Sequence, residues 1–392
     1  MFKNSIHHED ILQEVEYLVN NKVIENKQLE YKSELPGNDD KSIINCLLKP
    51  VCSFANTNDG FIIYGVKEKN GVPTEIVGVS LENIDEAKRR IEHLIRDNTE
   101  DQITGTDIAV YKLSNQDRYV VILKVRKSWY GPHRETKNNR FYARHSSGSY
   151  IMDLAEIKNA VNLSANLLDN VNKFKIGRLS DIEARQTITP IENGACMVLH
   201  VVSLPAFMSG KQCGMDQLLK IGDLFLPKNI HISGWSKKIV LEGLLGINPL
   251  ARSTDRYDLV FRTGRIESVT VFPTKQQFDD SYGSFIPSGY CERLLIADTK
   301  RFLEMLKILN FQPPIVIFLS YLGIGSYSLA GMYNKLYKFD RNMLQLSSEV
   351  IEHFDVKLET VLQPLFDSVW HCCGLLKSEN YNEAGEYVAT MM

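Results

Sequence analysis

Three carboxylates and a lysine in the first seventy residues are of the right kind for phosphodiester chemistry. They are Glu25, then Glu30 and Lys32 in Leu29-Glu30-Tyr31-Lys32, then Glu68, which ends the run that starts at Phe54. In an extended Leu29–Lys32 segment the side chains alternate, so Leu29 and Tyr31 point one way while Glu30 and Lys32 share the other face. Carboxylates gathered at one spot repel each other unless a hard cation lies between them. Mg2+ or Mn2+ accepts such oxygens together with substrate phosphates, as a metal-dependent nuclease requires. Lys32 would then offset charge developing on phosphorus. Spacing alone favours the plainer alternative, that these glutamates are solvated strand ends.

A second signal lies between Arg118 and His145. That stretch holds eight Lys or Arg (Arg118, Lys124, Arg126, Lys127, Arg134, Lys137, Arg140, Arg144) against one acidic residue, Glu135, a balance of +7 in a chain of net charge −3. Alternation along a strand would put Arg140, Tyr142 and Arg144 on one face, and Lys124 with Arg126 on another. Cations within reach of phosphates, with Trp129, Tyr130, Phe141 and Tyr142 at hand for stacking, suit single-stranded or structured RNA. Snorkelling lysine and arginine stems on a solvated strand pair are the alternative. His133 and His145 flank the stretch and could assist proton transfer or bind phosphate. Asn56-Thr57-Asn58-Asp59-Gly60 lacks the spacing of a nucleotide-triphosphate loop. It reads as a helix stop in which Gly60 takes a positive φ. His371-Cys372-Cys373 reads as the core end of an apolar helix rather than a metal site.

These residues need elements to place them. A short amphipathic helix is predicted over Asp10 to Asn20. A longer one is predicted over Ser42 to Phe54, where Ile43, Ile44, Leu47, Leu48, Val51 and Phe54 recur at helical spacing and Pro50 predicts a kink. Phe61 to Val66 reads as a strand covered on both faces, and Lys69-Asn70-Gly71 as a turn. A strand at Ile76 to Val79, a helix around Ile84 to Ile95, strands near Ile108 to Leu113 and Tyr119 to Val125, and a helix near Asp153 to Leu163 complete a mixed α/β sheet. The polar stretch from Leu163 to Gln186 reads as an inter-domain connection. A second mixed α/β unit follows, with strands at Met197 to Val202, Tyr257 to Arg262 and Ser268 to Phe272, and helices at Thr299 to Leu309 and Lys357 to Cys372. The expected organisation is residues 1–165, a linker over 166–190, and a second domain over 191–392.

The 392 residues, 44% hydrophobic and 24% charged, suffice for two domains that each bury a core. Net charge gives no global pull on nucleic acid, so binding must come from a local patch. The uncharged stretch from Ile308 to Asn334 is opened by Pro313-Pro314 and broken by Gly, Ser, Tyr and Asn, which makes it a buried strand and loop rather than a membrane span. Seven scattered cysteines form no paired framework, and the start of the chain has no apolar signal region; both favour the cytoplasm.

The run from Glu25 to Glu68, with the helix ending Cys52-Ser53-Phe54-Ala55-Asn56-Thr57, resembles the AlbA-like domain of the Schlafen family. The likeness continues through Gly131-Pro132-His133 and Arg140-Phe141-Tyr142-Ala143-Arg144 to about residue 165. It implies a divalent-metal site at Glu25, Glu30 and Glu68, with Lys32 assisting. It also implies a tRNA-like or other structured RNA as substrate for an endoribonuclease, with stress response or phage defence as its setting. Lys124, Arg126, Lys127, His133, Arg134, Arg140, Tyr142 and Arg144 would hold the nucleic acid. The chain departs from animal Schlafens in lacking a zinc-spaced Cys/His set and in having one such lobe, which suggests a homodimer if a duplex is clamped. Residues 195–392 are similar to the C-terminal half of bacterial proteins with the same first domain, and that likeness carries no function. A non-catalytic DNA- or RNA-binding regulator is the competing reading. A third has the second domain dock a protein partner.

Overall fold

The computed structural model describes residues 6–8, 10–103, 105–114, 117–146, 148–225, 235–247, 253–274 and 283–388. The chain is α/β and divides into two compact units, Met1–Asn166 and Leu167–Met392. The division falls inside a single helix, Leu154–Glu183, so the stretch read as a connection continues helical to Glu183. Among the described residues no helix is long and apolar enough to cross a membrane.

In the first unit a four-stranded sheet runs in the order Leu29–Lys32, Gly60–Tyr64, Tyr119–Val125, Thr106–Lys112. The first pair is parallel and the others antiparallel. Period-2 alternation sorts its apolar side chains onto two faces. Leu29, Tyr31, Ile63 and Ile122 pack with Ile11, Val15 and Leu18 of the helix Ile11–Asn20. Ile62, Tyr64, Val121 and Leu123 pack on the other side with Leu47, Val51, Phe54 and Ile91. A strand buried on both faces reads as a continuous apolar run, which Phe61 to Val66 does.

The helix expected over Ser42 to Phe54 spans Asp40 to Thr57 in three joined segments. Asp39 caps its start by accepting from the Ser42 amide at 2.9 Å. A π-helical turn, Ile44–Leu48, leads directly into Lys49–Thr57, where Pro50 sits in the first turn. The wider turn absorbs the amide that proline lacks. Gly60 does not take the positive φ expected of it. It is needed because a Cβ there would stand 2.0 Å from Cε1 of Phe54. The turn at Lys69-Asn70-Gly71 forms as expected, with Asn70 at φ 54° and Gly71 at φ 76° joining the hairpin Val66–Lys69 and Val72–Ile76. A smaller antiparallel sheet, Gly148–Ile151, Arg140–His145, Arg134–Glu135 and Thr99–Glu100, completes the unit.

The second unit is built on an antiparallel sheet with Arg265–Pro273, Gly194–Ser203 and Ile315–Leu322 at its centre. Every residue of Ile315–Leu322 is buried, in accord with a buried strand there. Helices Ser288–Ile308 and Leu358–His371 contribute to the core on one face, and Leu179 and Ile182 to the core on the other. Two charged networks lie inside this unit. Arg256 and Arg301 each pair with both Asp258 and Asp298. Glu267 accepts from Arg178 and Tyr257 and hydrogen-bonds His200.

Candidate functional site

In the first unit Glu25 lies within electrostatic reach of both Glu30 and Glu68. Parallel pairing sets Glu30 beside Ile62 and Lys32 beside Tyr64. Glu30 is not a solvated strand end: it is 8% exposed. Its Oε1 accepts from Lys32 Nζ at 2.5 Å and its Oε2 from Arg144 Nη2 at 2.5 Å. Burial pushes its carboxyl up, and the Lys32 and Arg144 charges outweigh that and hold it below the usual value. Glu25 Oε1 accepts from the Tyr31 amide at 2.8 Å, and the Glu25 amide donates to the Gly71 carbonyl at 2.8 Å. Glu68 Oε2 accepts from the Gly71 amide at 2.6 Å. The Asn70-Gly71 turn thus brings Glu68 back to Glu25. Burial and the nearby charges of Glu30 and Glu68 together push the Glu25 carboxyl up.

The donor set has the chemistry of a hard-cation site but not its geometry. Both oxygens of Glu30 are taken by basic side chains, and among the described residues no three His, Cys, Asp or Glu are grouped so as to hold an ion. A metal would have to displace Lys32 or Arg144.

The basic segment does not form the single surface its sequence suggested. Arg144 is 2% exposed: its guanidinium donates to the carbonyls of Asn26 and Leu29, to Ser149 and to Glu30, and lies 4.4 Å from the Phe54 ring centroid. It braces the fold and cannot meet a phosphate. Tyr142 and His133 are likewise buried. His133 is fixed by its amide to Asn56 Oδ1 at 2.7 Å and by Nδ1 to the Asp101 carbonyl, and burial lowers its pKa. Lys124 stands across from Phe61, on the sheet face opposite the core that holds Tyr142. Burial, with Arg126 nearby, lowers the Lys124 pKa. Lys127 lies 4.8 Å from the Trp129 ring centroid, and Arg134 is ion-paired with Glu100. Arg140 alone of the predicted set is exposed beside a cleft. Alternation described each strand correctly, but packing against the helix turned the face of Tyr142 and Arg144 inward.

That cleft, about 560 Å³, is lined by Lys41, Asn45 and Lys49 from the helix and by Arg140, Ser149 and Tyr150 from the small sheet, among others. Its one carboxylate, Asp40, is bound by Lys137 at 2.5 Å. Lys41, Asn45 and Lys49 recur every fourth residue, so they share one helix face. The four-residue spacing of these polar side chains is present in the sequence, on the helix face opposite its apolar stripe. Ser149 connects the two ends of the region: its Oγ accepts from Arg144, which holds Glu30, and hydrogen-bonds Ser53 at 2.8 Å.

The segment Asn56–Asp59 secures this geometry. Asn56 Nδ2 donates to the carbonyls of His133 and Tyr142, both at 2.9 Å, while Thr57 Oγ1 accepts from the Arg144 amide at 3.1 Å. Asp59 Oδ1 accepts from the Lys127 amide at 2.7 Å. These bonds fasten the helix end to the strand Arg140–His145 and so fix both walls of the cleft.

Residues 25–153, about a third of the chain, match the family model described as Schlafen, AlbA_2, so this stretch is similar to a Schlafen-type AlbA-like domain. No curated protein matches the chain. It is similar to the crystal structure of the DIP2311 protein from Corynebacterium diphtheriae, at 18% identity over 38% of this chain and 27% of that one, with a TM-score of 0.27. The chain spans about a quarter of that protein's length.

Proposed function

We propose, from the premise that residues 25–153 form a Schlafen-type AlbA-like domain, that the first unit binds nucleic acid along the Lys41–Lys49 helix face. The observation that supports this is the cleft itself, where Lys41, Lys49 and Arg140 meet one already-paired carboxylate in a chain of net charge −3. Three phosphate contacts give log K a slope of about −2.1 to −2.7 against log salt, so affinity should fall roughly 20- to 40-fold between 50 and 200 mM. Fluorescence anisotropy of labelled oligonucleotides at several salt concentrations tests this. Lys49→Ala should reduce the slope by about 0.7–0.9. Salt-independent binding, or an unchanged slope in that variant, would refute the assignment.

A second reading draws on Glu25, which feels the charges of Glu30 and Glu68 and whose repulsion a divalent cation would relieve. In it the domain is an endoribonuclease, dependent on Mg2+ or Mn2+ and acting on tRNA-like or other structured RNA in the cytoplasm, in stress or phage defence. The second unit would dimerise or dock a partner protein. This reading requires Glu30 to exchange a basic partner for the ion. Its test is cleavage of end-labelled tRNA, generic RNA, and single- and double-stranded DNA by wild type and Glu30→Ala, with Mn2+, Mg2+ or chelator. Metal-dependent cutting lost in the variant supports it. Binding that survives chelation and mutation without cutting returns the domain to a regulator.

A further inference from the structure

The cleft contains one aromatic ring whose surroundings differ from the rest. Tyr150 lines it and is only partly buried, whereas its neighbour Tyr142 is 4% exposed. One face of the Tyr150 ring is covered by His145, with centroids 3.9 Å apart and planes 10° from parallel. The ring is also held at its edge. Tyr150 Oη donates to Glu156 Oε1 at 2.7 Å, and Glu156 is itself fixed by a reciprocal pair with Asp153, in which each backbone amide donates to the other's carboxylate, at 2.9 and 2.8 Å. A phenol backed on one face and tied at its hydroxyl has lost its freedom before any ligand arrives, which lowers the entropic cost of stacking on it.

Resting on the nucleic-acid reading above, we infer that Tyr150, backed by His145, is a stacking platform for an unpaired base, so that the cleft selects single-stranded over duplex nucleic acid. Bases in a duplex are stacked on both faces and paired at their edges, and can offer a face to Tyr150 only after being pulled out of the helix. An unpaired base has that face free. Every base has a π face, so the platform tolerates sequence. Lys41, Lys49 and Arg140 hold the backbone on either side. The cleft's volume of about 560 Å³ lies in the range of pockets that enclose a small ligand and suits a nucleotide rather than a duplex.

The test compares three labelled probes of equal length: a single-stranded oligonucleotide, the same strand with abasic sites, and a blunt duplex. Each is titrated into the full chain carrying wild-type Tyr150, Tyr150→Phe or Tyr150→Leu. Stacking of one base predicts that wild type prefers the base-bearing strand over the abasic one by about 5-fold or more. Tyr150→Phe keeps a preference for the base-bearing strand because the ring remains, reduced by the loss of the hydroxyl's tie to Glu156. Tyr150→Leu loses it while affinity for the abasic strand stays. Equal affinity for base-bearing and abasic strands, or duplex bound as tightly as single strand, overturns the platform, and both arms use the wild-type protein alone. If none of the probes binds, the nucleic-acid reading falls first and takes the platform with it; if the abasic strand binds as well as the rest, only the platform falls.

Discussion

Replacing Arg144 by methionine should damage the first unit more than any charge removal on its surface, and the structure sets the scale. Arg144 is 2% exposed and donates to Asn26 O at 2.9 Å, Leu29 O at 3.0 Å, Ser149 Oγ at 3.1 Å and Glu30 Oε2 at 2.5 Å. Removing one member of a buried ion pair typically costs about 3–5 kcal/mol, because the other charge is left in a poor solvent. Lys32 remains on Glu30 and offsets part of this, so a loss of about 3 kcal/mol is expected at pH 7. The pH dependence sharpens the test. Burial raises the Glu30 carboxyl, but Lys32 and Arg144 outweigh it and hold the folded pKa below the ordinary 4.5. A carboxyl depressed on folding stabilises above its unfolded pKa, and that stability is lost as pH falls from 4.5 through the folded value. Arg144→Met should therefore lose less stability than wild type between pH 6 and pH 3. Urea denaturation of wild type, Arg144→Met, Glu30→Gln and the double variant, followed through the first unit's transition, gives the coupling directly. A single-variant loss under 1 kcal/mol, or additive effects in the cycle, would refute the bracing role. Function supplies an independent check. A buried arginine touches no phosphate, so Arg144→Met should weaken nucleic-acid binding without changing the salt slope, unlike Lys49→Ala.

Other expectations follow from particular contacts. In the second unit, burial pushes the Glu292 carboxyl up to about 7, against the hydrogen bonds of Trp370, Ser378 and Asn380. A carboxyl raised on folding stabilises below pH 4.5 and loses that contribution as pH rises through 7, a swing of up to about 3 kcal/mol. Glu292→Gln should flatten the melting temperature between pH 5 and 8, and an unchanged pH dependence would contradict this. Asn56→Ala removes two side-chain bonds to the carbonyls of His133 and Tyr142 and one from the His133 amide, and should cost about 2–3 kcal/mol in denaturation. Gly60→Ala must displace the Phe54 ring; wild-type stability in that variant would show that the contact is soft.

The sequence by itself determined the elements and their inner faces. Helices such as Ile11–Asn20 follow from local periodicity, and strands such as Ile315–Leu322 from a short apolar run bounded by breakers, both of which depend only on residues a few positions apart. It also brought out Glu25, Glu30 and Glu68, because an acidic pattern beside a Glu-Tyr-Lys strand is local. Tertiary structure decided what those side chains meet. Glu30 lies 114 residues from Arg144, and nothing local to either shows that they neutralise each other. The same long-range packing moved Arg144, Tyr142 and His133 from a predicted binding surface into the interior, and gave Asn56 its role in holding the strand Arg140–His145. Lys41 and Lys49 are separated from Arg140 by roughly ninety or more positions, so their shared cleft exists only once the helix end is fastened to that strand. Charge counted along a chain measures how many cations are near in sequence; which of them face solvent together is set by the apolar contacts that bury the rest.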